Sequence, residues 1–224
     1  MARLRVGVLI SGRGSNLASL IEAAKAPDYP AEIVLVISNR PQALGLEKAR
    51  AAGIPVCAFD HKLAASREDF DRQMDAALRE AGVEFVVMAG YMRVLSDFFV
   101  NAWYNRLINI HPALLPSYPG LDTHRRALAD GVCITGCTVH FVRSEVDAGP
   151  IIAQAAVPVM PGDDEDTLAA RVLSAEHVLY PFALRLVASG AVTVSGETIT
   201  RTAAGGPAPA ILFSPSPGEA PPPA

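Results

Sequence analysis

Through the first half of the chain, short apolar runs alternate with stretches of helical period, and no other feature constrains the fold as tightly. Residues 4–10, LRVGVLI, read as a strand and 15–26 as a helix. The β-branched run at 33–37 is the kind of strand that a parallel sheet buries on both faces. Residues 44–52 read as a helix that Gly53 closes, and 56–59 as a third strand. Ser66 opens SREDFDRQMDAALREAG with a Ser-x-x-Asp capping pattern, and Gly82 ends that helix. Residues 85–88 and 107–110 are a fourth and a fifth strand. This alternation predicts an α/β fold: one Rossmann-like domain with a mostly parallel central sheet and helices on both faces.

The second half changes character. Residues 139–142 and 151–159 are strand-like, with RSEVDAGP between them. DDEDTLAARVLSAEHVLYPFALRLVAS is a long helical stretch, acidic at the end where the macrodipole favours acids. Pro181 is expected to kink it or divide it in two. AVTVSGETITR predicts a β-hairpin across Ser195 and Gly196. From Ala203 onward the chain is rich in Pro, Ala and Gly, a composition without a core of its own. The expected organisation is one domain over 1–202 and a tail over 203–224, with no internal repeat and no second domain.

At 224 residues the chain is long enough for one domain with a substantial core. A net charge of -4 gives no general electrostatic case for nucleic acid. Cys57, Cys133 and Cys137 are odd in number and scattered. They lack the second ligand pair that a structural zinc site needs, so no metal is expected. They read as buried or half-buried thiols in a reducing cytosol, which makes the expected location cytoplasmic. No segment is long and apolar enough to span a bilayer. The start, MARLRVGVLISG, is too short in its apolar run for a signal peptide and lacks a small-x-small cleavage site. Small molecules are the expected partners, with neither nucleic acid nor membrane, and the chain is expected to be a monomer or homodimer.

After the first strand comes SGRGSNL, where Gly12 and Gly14 permit positive φ and close backbone approach. Amides at the start of a helix form an anion site. A dinucleotide fingerprint would add a third glycine, but Leu17 stands there, and the second strand ends ISNR without the acid that holds a ribose. The Gly-Lys-Ser/Thr of a Walker loop is missing too. What survives suits one phosphate monoester; the plainer alternative is a tight β–α turn with Ser15 or Asn16 as helix cap.

The most unusual stretch is LINIHPALLPSYPGLDTHRRAL. Residues two apart on a strand share a face, so Asn109 and His111 project together, at the end of a parallel strand where such sheets place ligands. Alternatively they satisfy strand-end backbone groups. Asp147, in VRSEVDAGPII, is either a turn former or a third member of the set. An amide donor, an imidazole and a carboxylate, with no nucleophile elbow in the chain, suit direct attack of an amine on a carbonyl.

SGRGSNL, SNR, AGYMRVLS, NIHPALLPSYPG and GCTVHFVRSEVDAGPIIAQ together resemble the phosphoribosylglycinamide formyltransferases of purine synthesis, in order and at the expected spacing from Val6 to Tyr180. Asn-x-His-Pro and Asp-x-Gly-Pro are shared by the wider folate-dependent family, which includes methionyl-tRNA formyltransferases and formyltetrahydrofolate deformylases. SGRGSN near the start favours glycinamide ribonucleotide as substrate. The tRNA enzymes would add a C-terminal domain and the deformylases an N-terminal one, and the expectation is that this chain has room for neither.

The resemblance implies a formyltransferase fold and transfer of a formyl group from the co-substrate 10-formyltetrahydrofolate to the amine of glycinamide ribonucleotide. It makes Asn109, His111 and Asp147 catalytic. Gly14, Ser15 and Asn16 would hold the substrate phosphate, with Glu176 further along that substrate and Pro112 lining its pocket. Met92, Arg93, Val94 and Leu95 would line the folate pocket, their backbone binding the pterin. Arg67 would lie near the folate tail. Arg143, Ser144, Glu145, Val146 and Asp147 would form the loop closing over the pterin, with Asn109 also touching folate. Read without the family, Glu176 is an exposed helix acid, Arg67 pairs with Asp71, and His140 is a packed strand histidine that supports the Asp147 loop at most. Arg13 and Asp122 depart from the family pattern without touching the catalytic set. The rivals are a nucleotide-binding module without chemistry, a related formyltransferase or formyltetrahydrofolate hydrolase, and an NAD-dependent enzyme, which Leu17 and ISNR disfavour.

Overall fold

A computed structural model describes residues 2–202; the expected tail over 203–224 lies outside the described residues. The strands are β1 (Leu4–Ile10), β2 (Ala31–Ser38), β3 (Val56–Ala58), β4 (Phe85–Met88), β5 (Leu107–His111), β6 (Ile134–Phe141) and β7 (Ile151–Pro158). They form one sheet in the order β3-β2-β1-β4-β5-β6-β7. The pairings from β3 to β5 are parallel, whereas β6 runs antiparallel to both of its neighbours, β5 and β7. The sheet is mostly parallel, as expected.

Helices α1 (Ser15–Ala24), α2 (Leu44–Ala51) and α6 (Glu165–Ala188) pack on one face, and α3 (Arg67–Glu80) and α4 (Asp97–Ala102) on the other. The period-two alternation of β1 sorts its side chains between them. Val6, Val8 and Ile10 join Leu17, Leu20, Leu46 and Val172 in one core, and Leu9 joins Phe70, Met74, Leu78 and Phe99 in the other. Sequence order steps outward from β1 to β2 and β3, then returns to the far side of β1 with β4. That reversal opens a crevice at the carboxyl ends of β1 and β4, beside the end of β5.

Several elements depart from expectation. Helix α6 runs unbroken for 24 residues with Pro181 inside it, so the proline does not divide it. Its neighbours hold it, among them the Tyr29 hydroxyl, which donates to the Pro181 carbonyl at 2.7 Å. Strand β6 begins at Ile134, well before the expected 139. Helix α4 and α5 (Thr123–Ala129) had no expected counterpart. Ser66 caps α3 by accepting from the Asp69 amide, but its hydroxyl donates to the Asp69 carboxylate, unlike the reciprocal bond of a capping box. The hairpin of β8 (Val192–Ser195) and β9 (Thr198–Arg201) turns at Gly196 and Glu197. Cys137 is buried and Cys57 half-buried, but Cys133 is exposed, against the expectation for it. No helix among the described residues is long and apolar enough to cross a membrane.

Candidate active site

The turn after β1 leaves a helix end open. Gly14 is the N-cap of α1 at φ 65, and no side chain caps the helix. The cap role weighed for Ser15 or Asn16 is therefore not taken. The first amides of a helix have no partner within it, so they face outward at the positive end of the dipole. Gly14 is also sterically required: a Cβ there would lie 2.8 Å from the Gly45 backbone. Gly45 in turn donates to the Gly12 carbonyl at 3.0 Å, which braces the turn against α2. Leu17 is fully buried in the core, so the missing third glycine is a packing position.

The strand end of β5 supplies the next groups. Ile108 and Ile110 pack into the core, which turns Asn109 and His111 to the other face. His111 is almost fully buried, between two acceptors. Its Nε2 lies 2.8 Å from the Tyr118 carbonyl and its Nδ1 3.2 Å from Asp147 Oδ2. A ring facing acceptors on both nitrogens satisfies both only as the imidazolium. The loop carrying Tyr118 is pinned to β6 and β7. Thr138 Oγ1 donates to the Ala113 carbonyl and accepts from the Leu115 amide, and Gln154 donates to the Leu115 carbonyl.

Asp147 is fixed as firmly. It sits in the left-handed region at φ 58, and its Oδ2 accepts from the Gly120 amide at 2.8 Å. A Cβ on Gly149 would lie 1.7 Å from the Phe141 carbonyl oxygen, so the Asp-x-Gly-Pro bend admits only glycine there. His140 also reaches this carboxylate, its Nε2 3.7 Å from Asp147 Oδ1. Its Nδ1–H donates to the Phe141 carbonyl at 2.9 Å, and burial pushes the imidazole below its usual range. It is thus a packed strand histidine whose free nitrogen faces the catalytic candidate.

These groups line one cleft of about 580 Å³. Asn16, Met92, Arg93, Val94, Leu95, Pro112, Ser144, Val146 and Glu176 line it with Asn109, His111 and Asp147. Asn16 and Glu176 are joined directly, Nδ2 donating to Oε2 at 2.7 Å. Glu176 is only 6% exposed, which overturns its reading as an exposed helix acid, and burial pushes its carboxyl up. Gly14 and Ser15 sit beside Asn16, just outside the lining. The Met92 amide is already taken, donating to Ser11 Oγ at 2.9 Å, which ties the β1 turn to the 90–95 loop. Arg93 turns its guanidinium over the Phe70 ring. Arg67 and Glu145 are exposed and not part of the cleft wall; the charge of Arg67 acts on Asp71. Arg143 contributes to the wall, but its guanidinium is bonded to Glu197 and Asn105 instead.

A model of the formyl transferase family matches residues 4–184. The chain belongs to the formyl transferase family. Relatives within it include the phosphoribosylglycinamide formyltransferase of Escherichia coli K12, 46% identical over 84% of this chain and 88% of its own length. The trifunctional purine biosynthetic protein adenosine-3 of Gallus gallus is 54% identical over 86% of this chain, which spans only 19% of that relative. The glycinamide ribonucleotide transformylase 1 structure from Symbiobacterium toebii superposes with a TM-score of 0.87 at 45% identity, covering 89% of this chain and 94% of that one.

The cleft of this formyl transferase holds residues that sequence reasoning missed. His124 and Glu165 line it from the starts of α5 and α6, and burial lowers the His124 imidazole. His124 lies in the short α5, which carried no periodic signal. Lys48 Nζ reaches within 3.4 Å of the Gly14 carbonyl, placing a cation at the open turn. Nothing in the sequence pointed to that contact, which the packing of α2 against the β1 turn creates.

Proposed function

We propose that this chain transfers the formyl group of 10-formyltetrahydrofolate to the amine of glycinamide ribonucleotide, by direct attack of the amine. The observation that carries this is the His111 ring held between the Tyr118 carbonyl and Asp147, beside Asn109, in a cleft flanked by the uncapped turn of α1. The substrate phosphate meets the amides of Gly14, Ser15 and Asn16, with Lys48 adding charge. Its ribose runs past Glu176 and Pro112 and brings the amine to Asn109 and His111. The pterin lies against the backbone of 92–95 and under the 143–147 loop, with Arg67 outside the cleft near the folate tail.

The amine nitrogen bonds to the formyl carbon, and the carbonyl oxygen becomes an oxyanion. The Asn109 amide donates to it, and so does His111 once its Nε2–H turns from the Tyr118 carbonyl to the oxyanion; one such donor is typically worth about 3 kcal/mol of barrier. Asp147 orients the His111 ring through Nδ1 and takes the proton that the attacking amine loses. Collapse breaks the bond from carbon to the folate nitrogen, which leaves with a proton from His111. The residues supporting this need no metal. One chain supplies them all, so a monomer or a homodimer would serve, and the odd, scattered cysteines suit the cytoplasm.

The test is formyl transfer with glycinamide ribonucleotide and, as control, methionyl-tRNA. Transfer to the ribonucleotide alone supports the proposal. Transfer to the tRNA, or release of formate without either acceptor, would replace it with another branch of the family.

A further inference from the structure

Arg143 was expected to face folate, yet its side chain is committed elsewhere. Nε donates to both carboxylate oxygens of Glu197, at 3.1 and 3.0 Å. Nη2 donates to Asn105 Oδ1 at 2.9 Å, and the guanidinium stacks 4.2 Å over the Tyr104 ring. The Tyr104 hydroxyl donates to the same Glu197 carboxylate at 3.3 Å. The Arg143 side chain is 11% exposed, and a network around a rigid guanidinium orders more than an isolated surface pair does.

Glu197 lies in the turn of the β8–β9 hairpin, about fifty residues beyond Arg143. Residues 143–147 lead from β6 to Asp147, and their far end is fixed by Gly149 and by the Phe141 amide donating to the Pro150 carbonyl. The near end has the Arg143 network. The hairpin is itself fastened at its other end, where Arg201 donates to the carbonyls of Ile151 and Ile152 in β7. It thus bridges the start of the loop and the strand that follows it.

We propose that Glu197 is a positioning residue: through Arg143 it holds the 143–147 loop at the height that admits the pterin and presents Asp147. This rests on the folate reading of the cleft. Glu197 touches no reacting atom, so its loss acts on folate binding first. Glu197→Gln should raise the KM for 10-formyltetrahydrofolate about 3- to 10-fold, with kcat and the ribonucleotide KM within about twofold of the parent. Tyr104→Phe, which removes a second bond to the same carboxylate, should do the same to a smaller degree, and the double variant should be no worse than Glu197→Gln alone. Backbone amides of 143–147 should exchange hydrogen faster in the unliganded variants while exchange in β4 and β5 stays unchanged.

An unaltered folate KM in Glu197→Gln, or additive effects in the double variant, would overturn the proposal. So would a loss spread equally over both substrates and the Tm, which marks a merely structural pair. The exchange measurement needs no turnover. Unchanged exchange over 143–147 therefore sinks the clamp even if the assigned reaction is wrong, and absent transfer by the parent protein sinks the reaction alone.

Discussion

At the residue scale, the proposed chemistry depends on groups whose neighbours leave them little freedom. His111 is satisfied at both ring nitrogens only in its charged form, and Asp147 is oriented by the Gly120 amide. His111→Ala should therefore lower kcat by about 10²- to 10⁴-fold while both substrates still bind, as titration calorimetry would register. Asn109→Ala removes one neutral donor and should cost about 10²- to 10³-fold in kcat. Near-normal turnover in either variant would remove that residue from the mechanism. The Asn109–His111 pair was legible in the sequence because a strand end with i, i+2 polar residues fixes a shared face. The Arg143 side chain was not: its partner, Glu197, is brought alongside only by the hairpin.

At the scale of elements, α6 carries a cost that the proposed ribonucleotide site would account for. Burial raises the Glu176 carboxyl above its ordinary value of 4.5, with the Asn16 hydrogen bond opposing. Between that value and the raised one, the folded protein keeps a proton that the unfolded chain has released. Stability from this group therefore falls as pH rises through the window, and above it the buried charge imposes a constant penalty. Glu176→Gln should raise the Tm at pH 7.5, and the gain over the parent should shrink as pH falls toward 4.5. The same variant should weaken ribonucleotide binding, the trade-off expected of a functional buried acid. A lower Tm at pH 7.5 would contradict the assigned penalty. The β–α order of the first half was readable from period and apolar runs. The burial of Glu176 was not, because Asn16 lies 160 residues away in sequence. Nor were α4 and α5, which are too short to show a period, while Pro181 marked a break that tertiary packing overrides.

For the whole molecule, the topology brings two open sites to one crevice. The β1 turn offers uncapped amides, the 90–95 and 143–147 loops offer the opposite wall, and β5 ends between them. A ribonucleotide at about 100 times its Kd should stabilise the fold by about 2.7 kcal/mol, and Ser15→Asp should abolish that rise in Tm while sparing the rise from a folate analogue. Equal loss of both would mean that the phosphate sits elsewhere. The central claim is that both substrates occupy the cleft together and that no covalent formyl-enzyme forms. Initial rates measured over a grid of both substrate concentrations test it most directly. Double-reciprocal lines should intersect, as a ternary complex requires; parallel lines, the mark of a ping-pong route through an acylated side chain, would contradict it.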